Sequence, residues 1–265
     1  MCWFLASGGR LDYLSLNGDR AVSWIIIGLI FVAMPAAQDT VVAEPPGFRW
    51  GTHIELSYVS TGGNTTTRAF AGRLDVTGTA RKDRLAFRSN GLYGRSDGEE
   101  NTNRFLAEGR WERNISDGMF FFLNGTYLTD KFAGYDYRLF GGPGIGFILI
   151  ASERQELRSL SSLNYTYDNY RFGWEESNTY ANLDLAVEYR WNVTNSVTFK
   201  NSSSYATSLE DAGHYFVNSE NSIEVKAGSF VSLGVSYSLA FQGKPPAADL
   251  KRLDTTFFSS LIFDF

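Results

Sequence analysis

The chain of 265 residues contains very little cysteine or histidine. Cys2 is its one cysteine, and His53 and His214 are its two histidines. A single cysteine excludes an internal disulfide, and so few sulfur and imidazole ligands exclude a cysteine–histidine metal cluster. An excess of positive charge is also lacking, since the net charge is −5 and both signs are spread along the chain. The composition therefore predicts no metal, no cofactor and no nucleic-acid partner.

Long hydrophobic runs are lacking as well. The one extended apolar stretch covers residues 21–33, which is too short for a membrane-spanning helix of roughly 20 residues. Arg20 precedes this stretch and small residues follow it, an order that is typical of a secretory signal peptide. We therefore predict a signal peptide over residues 1–37, and hence export. A short membrane anchor is the alternative.

The sequence leaves two details of this predicted signal peptide undecided. Cleavage is expected near Ala36 or Ala37, with cleavage after Ala43 as the alternative. Asp12 and Asp19 are unusual in the region before an apolar core. A misassigned translation start explains that region best.

After a linker over residues 38–48, the chain shows the periodicity of β-strands. Segments of about ten residues alternate apolar and polar, with Gly, Asn, Asp and Ser clusters between them. Twelve such segments cover approximately 50–60, 66–80, 84–95, 103–114, 119–130, 135–150, 155–168, 178–193, 197–208, 214–227, 230–242 and 252–265. Gly141–Gly144, which includes Pro143, interrupts the sixth segment and predicts a bend or bulge there.

The connections between these segments alternate in length. The short ones cover 80–83, 114–118, 151–154, 193–196 and 227–229, and the longer ones cover 61–65, 96–102, 169–177 and 243–251. Short turns at one end and longer loops at the other are typical of up-and-down membrane barrels. We therefore predict an all-β fold over residues 49–265: a transmembrane, up-and-down antiparallel β-barrel of about 12 strands. Its short turns and both of its ends are expected on the periplasmic side.

A soluble β-sandwich would alternate in the same way, so other features must decide. The export signal, the aromatic last residue Phe265 and aromatics near segment ends, such as Trp50 and Trp191, favour a membrane barrel. Closure of the barrel would also remove the exposed strand edges of an open sheet. The predicted location is the bacterial outer membrane, where the chain would contact lipid and lipopolysaccharide as a monomer.

Two short segments carry a family resemblance. Residues 55–67 (ELSYVSTGGNTTT) and residues 254–265 (DTTFFSSLIFDF) resemble the beginning and the end of the DUF481 family of bacterial outer-membrane proteins. Members of that family are often called putative salt-induced outer membrane proteins. The resemblance implies a barrel with a role in the envelope's response to salt or acid, and it implies no catalytic residues.

The last segment also resembles the assembly signal of outer-membrane barrels. Every second residue in it is hydrophobic or small, and it ends in the aromatic Phe265. By this resemblance, Leu261, Phe263 and Phe265 form the signal that the barrel-assembly machinery reads, with periplasmic chaperones as further partners during biogenesis.

The polar faces of the predicted strands carry both signs of charge. The residues assigned to the lumen are Glu55, Arg73, Asp75, Arg88, Arg104, Glu108, Arg110, Glu112, Arg138, Arg158, Asp184, Glu188, Arg190, Lys200, Glu220, Glu224 and Lys226. Buried charges need partners, so one interpretation is a salt-bridged interior that stiffens a narrow barrel. The other is a pore whose opposed charges create a transverse field. The large positive excess of an anion channel is lacking.

Two functions therefore remain open: a structural or envelope-stress role without catalytic activity, and a narrow channel for small solutes. An outer-membrane lipid hydrolase would need a nucleophile and a histidine together. Only His214 lies at a suitable height, and no nucleophile motif surrounds any serine. His214 is predicted to be a histidine of a surface loop, and the protein is predicted not to be an enzyme.

Overall fold

The computed structural model describes residues 47–61, 67–171, 176–247 and 250–265. Within these ranges, twelve antiparallel strands form one closed barrel. The strands are β1 (Arg49–Thr61), β2 (Thr67–Ala80), β3 (Asp83–Ser96), β4 (Glu99–Ser116), β5 (Met119–Asp130), β6 (Tyr135–Ala151), β7 (Gln155–Tyr170), β8 (Ser177–Asn192), β9 (Val197–Ser208), β10 (Tyr215–Lys226), β11 (Val231–Gln242) and β12 (Leu253–Asp264). Each strand pairs with the next in the chain, and β12 pairs with β1. The predicted up-and-down barrel is confirmed.

The predicted signal peptide and the start of the linker lie outside the described residues. Among the residues that are described, none forms a helix long and apolar enough to cross a membrane.

The two ends of the barrel differ in their connections. We call the end that carries the tight connections between β2 and β3, β4 and β5, β6 and β7, β8 and β9, and β10 and β11 the turn rim. The start of β1 and the end of β12 also lie there. The opposite end, the loop rim, carries the remaining connections, of which the one between β11 and β12 spans residues 243–252. In membrane barrels of this kind the short turns are periplasmic, so the turn rim corresponds to the end that the sequence predicted on the periplasmic side.

Side chains alternate between the outside and the lumen along every strand, because successive residues of a strand point to opposite faces. On β11, Leu233, Val235 and Tyr237 are exposed outside, while Ser232 and Ser236 are buried inside. Aromatic side chains are also exposed on the outside near both rims: Trp50 and Trp191 near the turn rim, and Tyr58 and Tyr165 toward the loop rim. Such bands are typical of the two membrane interfaces.

The seam between β1 and β12 closes the barrel. Its paired register runs only from His53↔Asp264 to Leu56↔Leu261, whereas β1 and β2 pair from Arg49↔Thr79 to Thr61↔Thr67. Beyond the paired register, the main chains of Thr52 and Phe265 exchange two hydrogen bonds of 2.9 Å. The seam is therefore short and includes Phe265.

The connection between β3 and β4 corrects one expectation from the sequence. A longer loop was predicted over 96–102, but Ser96 and Glu99 pair directly across a two-residue turn, Asp97–Gly98. Both turn residues have positive φ, 52° and 86°, as in the Asp-Gly turns that join hairpin strands tightly. The polar residues 99–102 therefore extend β4 beyond its predicted start.

The glycines of β6 correct a second expectation. A bend or bulge was predicted at Gly141–Gly144, but the register with β5 runs unbroken through that segment. On the other side Gly142 and Pro143 pair with no residue of β7, and the register with β7 is the same before and after them. A Cβ at Gly144 or Gly146 would overlap the rings of Phe122 and Phe120 on β5. The glycines therefore leave room for two aromatic rings inside the lumen.

Gly146→Ala is expected to destabilise the barrel by about 1–3 kcal/mol, the usual cost of overpacking. Phe120 is fully buried, and the Arg158 guanidinium lies 4.4 Å from its ring centroid, so the ring has little room to move. The matched control is Gly125→Ala, because a Cβ at Gly125 meets nothing within 4 Å. Urea titrations of the two variants in detergent micelles measure the difference, and equal stabilities would contradict this account of the β6 glycines.

Candidate functional site

The lumen carries the charged residues that the sequence pattern assigned to it. By strand alternation, all seventeen lie on the inward-facing side of the barrel wall. Ion pairs within 4.0 Å join most of them. Glu108, Asp184 and Lys226 make no such pair with a described residue. Asp184 instead accepts hydrogen bonds from the side-chain amides of Asn164 and Asn182.

Some of these ion pairs join neighbouring strands. They are Arg73–Glu55 (3.4 Å), Arg88–Asp75 (2.7 Å), Arg104–Asp130 (3.8 Å), Lys200–Glu224, and the exposed Arg190–Glu156 pair at the turn rim (3.9 Å). Such pairs brace the wall locally and leave the width of the lumen unchanged.

Other pairs cross the lumen. Arg73 on β2 donates to Glu220 on β10 at 2.7 Å, although β1, β12 and β11 lie between these strands along the wall. On the other side, Arg110 on β4 donates to Glu188 on β8 at 2.9 Å, although β5, β6 and β7 lie between them. These two contacts are chords across the barrel, and they narrow the passage.

A compact charged cluster surrounds Glu112, which is only 3% exposed. Its carboxylate lies 3.2 Å from Arg84, 2.9 Å from Arg110 and 2.6 Å from Arg158. Next to this cluster, the buried side chains of Phe120, Phe122 and Leu160 pack together. The lumen is therefore filled on this side toward the turn rim.

A second cluster lies toward the loop rim and centres on Arg138. Its guanidinium donates to both oxygens of Asp168, at 2.5 and 2.8 Å, and lies between the rings of Tyr135 and Phe216 at 4.3 and 4.1 Å from their centroids. Asp168 has no exposed surface. Because Phe216 is on β10 and Arg138 on β6, this cluster also crosses the lumen.

Tyrosine hydroxyls complete the Arg138 cluster. Tyr180 and Tyr170 donate to Asp168 at 3.1 and 3.3 Å. The hydroxyl of Tyr135 accepts a 2.6 Å hydrogen bond from the Gln242 side chain on β11. Buried charges are stable only when such partners satisfy them. Here aromatic rings, a carboxylate, hydroxyls and the amide of Gln242 come together from five strands.

His214 differs from its prediction as a surface histidine. It is 7% exposed, and its ring lies 4.8 Å from that of Tyr180 and 5.2 Å from that of Phe216, measured between centroids. Burial, together with the nearby charge of Arg138, lowers the pKa of His214 below its ordinary value, so the ring is neutral at pH 7. It packs against the Arg138 cluster.

Several members of these networks were missed in the sequence. Asp168 is the last residue of the seventh predicted segment. It lies an even number of residues from Arg158 and so faces the lumen like Arg158, which means that strict alternation could have identified it. The same parity identifies Arg84, Asp130 and Glu156 as inward-facing. The sequence pattern does not indicate which of these residues contact each other across the lumen.

Between the two clusters, the lumen retains a cavity of about 670 Å³. Arg73, Glu108 and Arg110 line the part of the cavity that is farther from the loop rim. The cavity reaches the loop rim at Lys251 and Asp254. The side of the wall from β9 to β12 carries several hydroxyls, with the carboxylate of Glu220 on β10 among them. The hydroxyls belong to Ser202, Ser204, Ser236, Ser238 and Ser260. Serine hydroxyls and a few charged groups therefore share this side of the cavity.

The three residues predicted as an assembly signal lie along the seam. Leu261 pairs with both Leu56 and Leu233, and Phe263 pairs with Ile54 and Val231. Phe265 is 59% exposed and is held through its main chain to Thr52. Their side chains lie on the outward-facing side of the barrel wall, as alternation along β12 requires.

A closed barrel that is apolar outside and charged inside, with aromatic bands near both rims, is an outer-membrane β-barrel. Comparisons with known proteins give the family. The model of the family described as "Protein of unknown function, DUF481" matches residues 54–265. This chain belongs to that family.

Individual proteins and solved structures resemble the chain at low sequence identity. The chain is 22% identical over 236 residues to the uncharacterized protein YdiY of Escherichia coli (strain K12), covering 87% of this chain and 91% of that protein. Among solved structures, the NanC porin matches with a TM-score of 0.49 and 10% identity over 80% of this chain and 98% of its own. The COG4313 outer membrane channel from Pseudomonas putida F1 matches with a TM-score of 0.48 and 8% identity, over 87% and 100%.

Proposed function

We propose that this protein is a narrow channel for small polar solutes across the outer membrane. The cavity between the two lumen clusters supports the proposal most directly. Barrels of few strands can fill their interior with side chains, and a purely structural barrel would gain stability by filling this space as well. Instead, about 670 Å³ stays open and is lined by charges and hydroxyls.

The lining favours selection by size and dipole over selection by the sign of charge. The assigned lumen residues include nine positive and eight negative side chains, so the wall lacks the single-sign ring of a strongly ion-selective pore. The cavity also offers serine hydroxyls beside the charged side chains of Arg73, Arg110 and Glu220, which suits solutes that both donate and accept hydrogen bonds. We infer that uncharged polar or zwitterionic solutes pass best.

A structural role in envelope stress is the second candidate, and the chords across the lumen favour it. Arg73–Glu220 and Arg110–Glu188 tie opposite walls together, which stiffens the barrel and restricts any passage. In either role we propose a monomer without catalytic activity that contacts lipid and lipopolysaccharide. The proposal of no catalytic activity rests on the sequence, in which no nucleophile motif surrounds any serine.

Conductance of the purified barrel in planar bilayers separates the two candidates. The channel proposal expects small, reproducible steps from the native protein. Replacing both Arg73 and Glu220 by alanine removes one chord and should raise the step conductance about twofold or more. Glu55 loses its contact with Arg73 but keeps its contact with His53.

The matched control replaces Asp75 and Arg88 by alanine. That pair is also neutral and also faces the lumen, but it joins the neighbouring strands β2 and β3. Its removal should leave the conductance nearly unchanged. A native barrel that never opens would favour the structural role instead, and equal effects of the two double variants would contradict the chord as the restriction.

A further inference from the structure

His53, Glu55 and Glu224 form a group of metal-ligating side chains inside the lumen, near the turn rim. His53 and Glu55 lie on β1, and Glu224 lies on β10. Their ligand atoms all lie within 4.8 Å of one another, and each side chain is only 13–15% exposed. We propose that these three residues bind one divalent transition-metal ion, with Zn²⁺ as the representative.

The hydrogen bonds of His53 point to a cation. Its Nδ1 lies 2.6 Å from a carboxylate oxygen of Asp264, and its Nε2 lies 2.9 Å from one of Glu55. A neutral imidazole carries a single N–H. When Nδ1–H donates to Asp264, the Nε2 lone pair of the neutral ring faces another acceptor, and this contact is favourable only if a metal ion or a second ring proton lies between the two atoms.

The charges around the site also leave room for a divalent ion. Four carboxylates meet two cations in the connected group, which comprises Glu55, Glu220, Glu224, Asp264, Arg73 and Lys200. The group therefore carries two negative charges when His53 is neutral, and one divalent ion balances them. Lys200, which contacts Glu224, has a side chain that is 38% exposed, so it can turn away from the metal.

The donor set selects the class of metal. One imidazole nitrogen and two carboxylates suit Zn²⁺ and its neighbours in the transition series, whereas Mg²⁺ and Ca²⁺ prefer oxygen ligands alone. Asp264 would then hold the far nitrogen of the ligating histidine, the usual arrangement around protein-bound zinc. The sequence predicted no metal site, because the ligands come from strands that are distant in the chain.

The position of the site gives the ion a structural consequence. Two strands, β11 and β12, lie between β1 and β10 along the wall, and Asp264 belongs to β12. A metal bound there joins the short closing seam to the strands on its far side. Binding is therefore expected to stabilise the closed barrel, because a ligand that binds only the folded state shifts the folding equilibrium toward it.

Zinc titration of the untagged, EDTA-stripped protein from outer membranes tests the proposal, with isothermal calorimetry as the readout. The native barrel should bind one Zn²⁺, and tenfold excesses of Mg²⁺ or Ca²⁺ should not displace it. His53→Ala should weaken binding at least about 100-fold, and the isosteric Glu224→Gln about 10- to 100-fold. His214→Ala, which removes the chain's other histidine, is the matched control and should change the affinity less than about twofold.

Heat-modifiable gel migration shows whether each variant has folded. Protection of His53 from diethyl pyrocarbonate by zinc provides a readout that needs no variant. The proposal is overturned if the native barrel binds no zinc, if His53→Ala binds as tightly as the native chain, or if zinc leaves His53 equally reactive. In those cases His53 is an imidazolium that donates from Nδ1 to Asp264 and from Nε2 to Glu55.

Discussion

Replacing Asp168 by alanine is expected to destabilise the barrel by about 3–5 kcal/mol, because it removes one partner of a buried ion pair. The guanidinium of Arg138 would remain between the rings of Tyr135 and Phe216 without its two hydrogen bonds to a carboxylate. Burying an unpaired charge costs far more than a typical surface ion pair contributes. Urea-dependent unfolding in detergent or lipid vesicles, followed by tryptophan fluorescence, measures the change.

Asp75→Ala is the matched control for this substitution. It also removes a lumen carboxylate bonded to an arginine at 2.7 Å, but the Arg88 side chain is 45% exposed and can be hydrated. A loss of at most about 1 kcal/mol is expected there. The double variant Arg138→Leu with Asp168→Leu should recover part of the lost stability, because it leaves no buried charge unpaired. Equal losses for Asp168→Ala and Asp75→Ala would refute the account of the Arg138 cluster.

Deleting Asp264 and Phe265 is expected to have the second large effect, on closure of the barrel. The deletion removes both main-chain hydrogen bonds between Phe265 and Thr52 and the bond from His53 to Asp264. At about 1 kcal/mol for each hydrogen bond, the seam loses about 2–4 kcal/mol. The amount of heat-modifiable protein in the outer membrane should fall about tenfold or more.

The control keeps the main chain and changes only side chains, as Asp264→Asn with Phe265→Tyr, and should assemble nearly normally. Refolding in vitro separates two causes of the deletion's effect. A defect both in cells and in vitro indicates a weakened seam. A defect in cells alone indicates that the assembly machinery reads Phe265, as we propose. Normal amounts of inserted, truncated barrel would rule out both.

The strands themselves were predictable from the sequence because their signal is local. Most segment boundaries fall within two residues of the observed strands. The largest miss, at the start of β4, arose because a polar stretch predicts a loop, whereas Asp97–Gly98 turns the chain in two residues. A polar composition does not by itself end a strand. The strand ends where the chain makes a tight turn.

The glycines of β6 show a different limit. The segment Gly141–Gly144 looks like a strand interruption because glycine has no side chain to pack. The aromatic rings beside Gly144 and Gly146 come from β5 and occupy the space that a Cβ would need. His214 was predicted wrongly for a related reason, since this loop residue is buried against Tyr180 of the distant strand β8, together with Phe216 at the start of β10.

By itself, the sequence determined the strands, the inward and outward faces and the charged character of the lumen, because alternation with period two is a property of neighbouring residues. Only the tertiary structure decided which charges meet. Closing twelve strands into a barrel brings Arg73 to Glu220, and His53 to Glu224 and Asp264. Those partners are far apart in the chain, and their contact depends on the curvature of the wall, which no local pattern encodes.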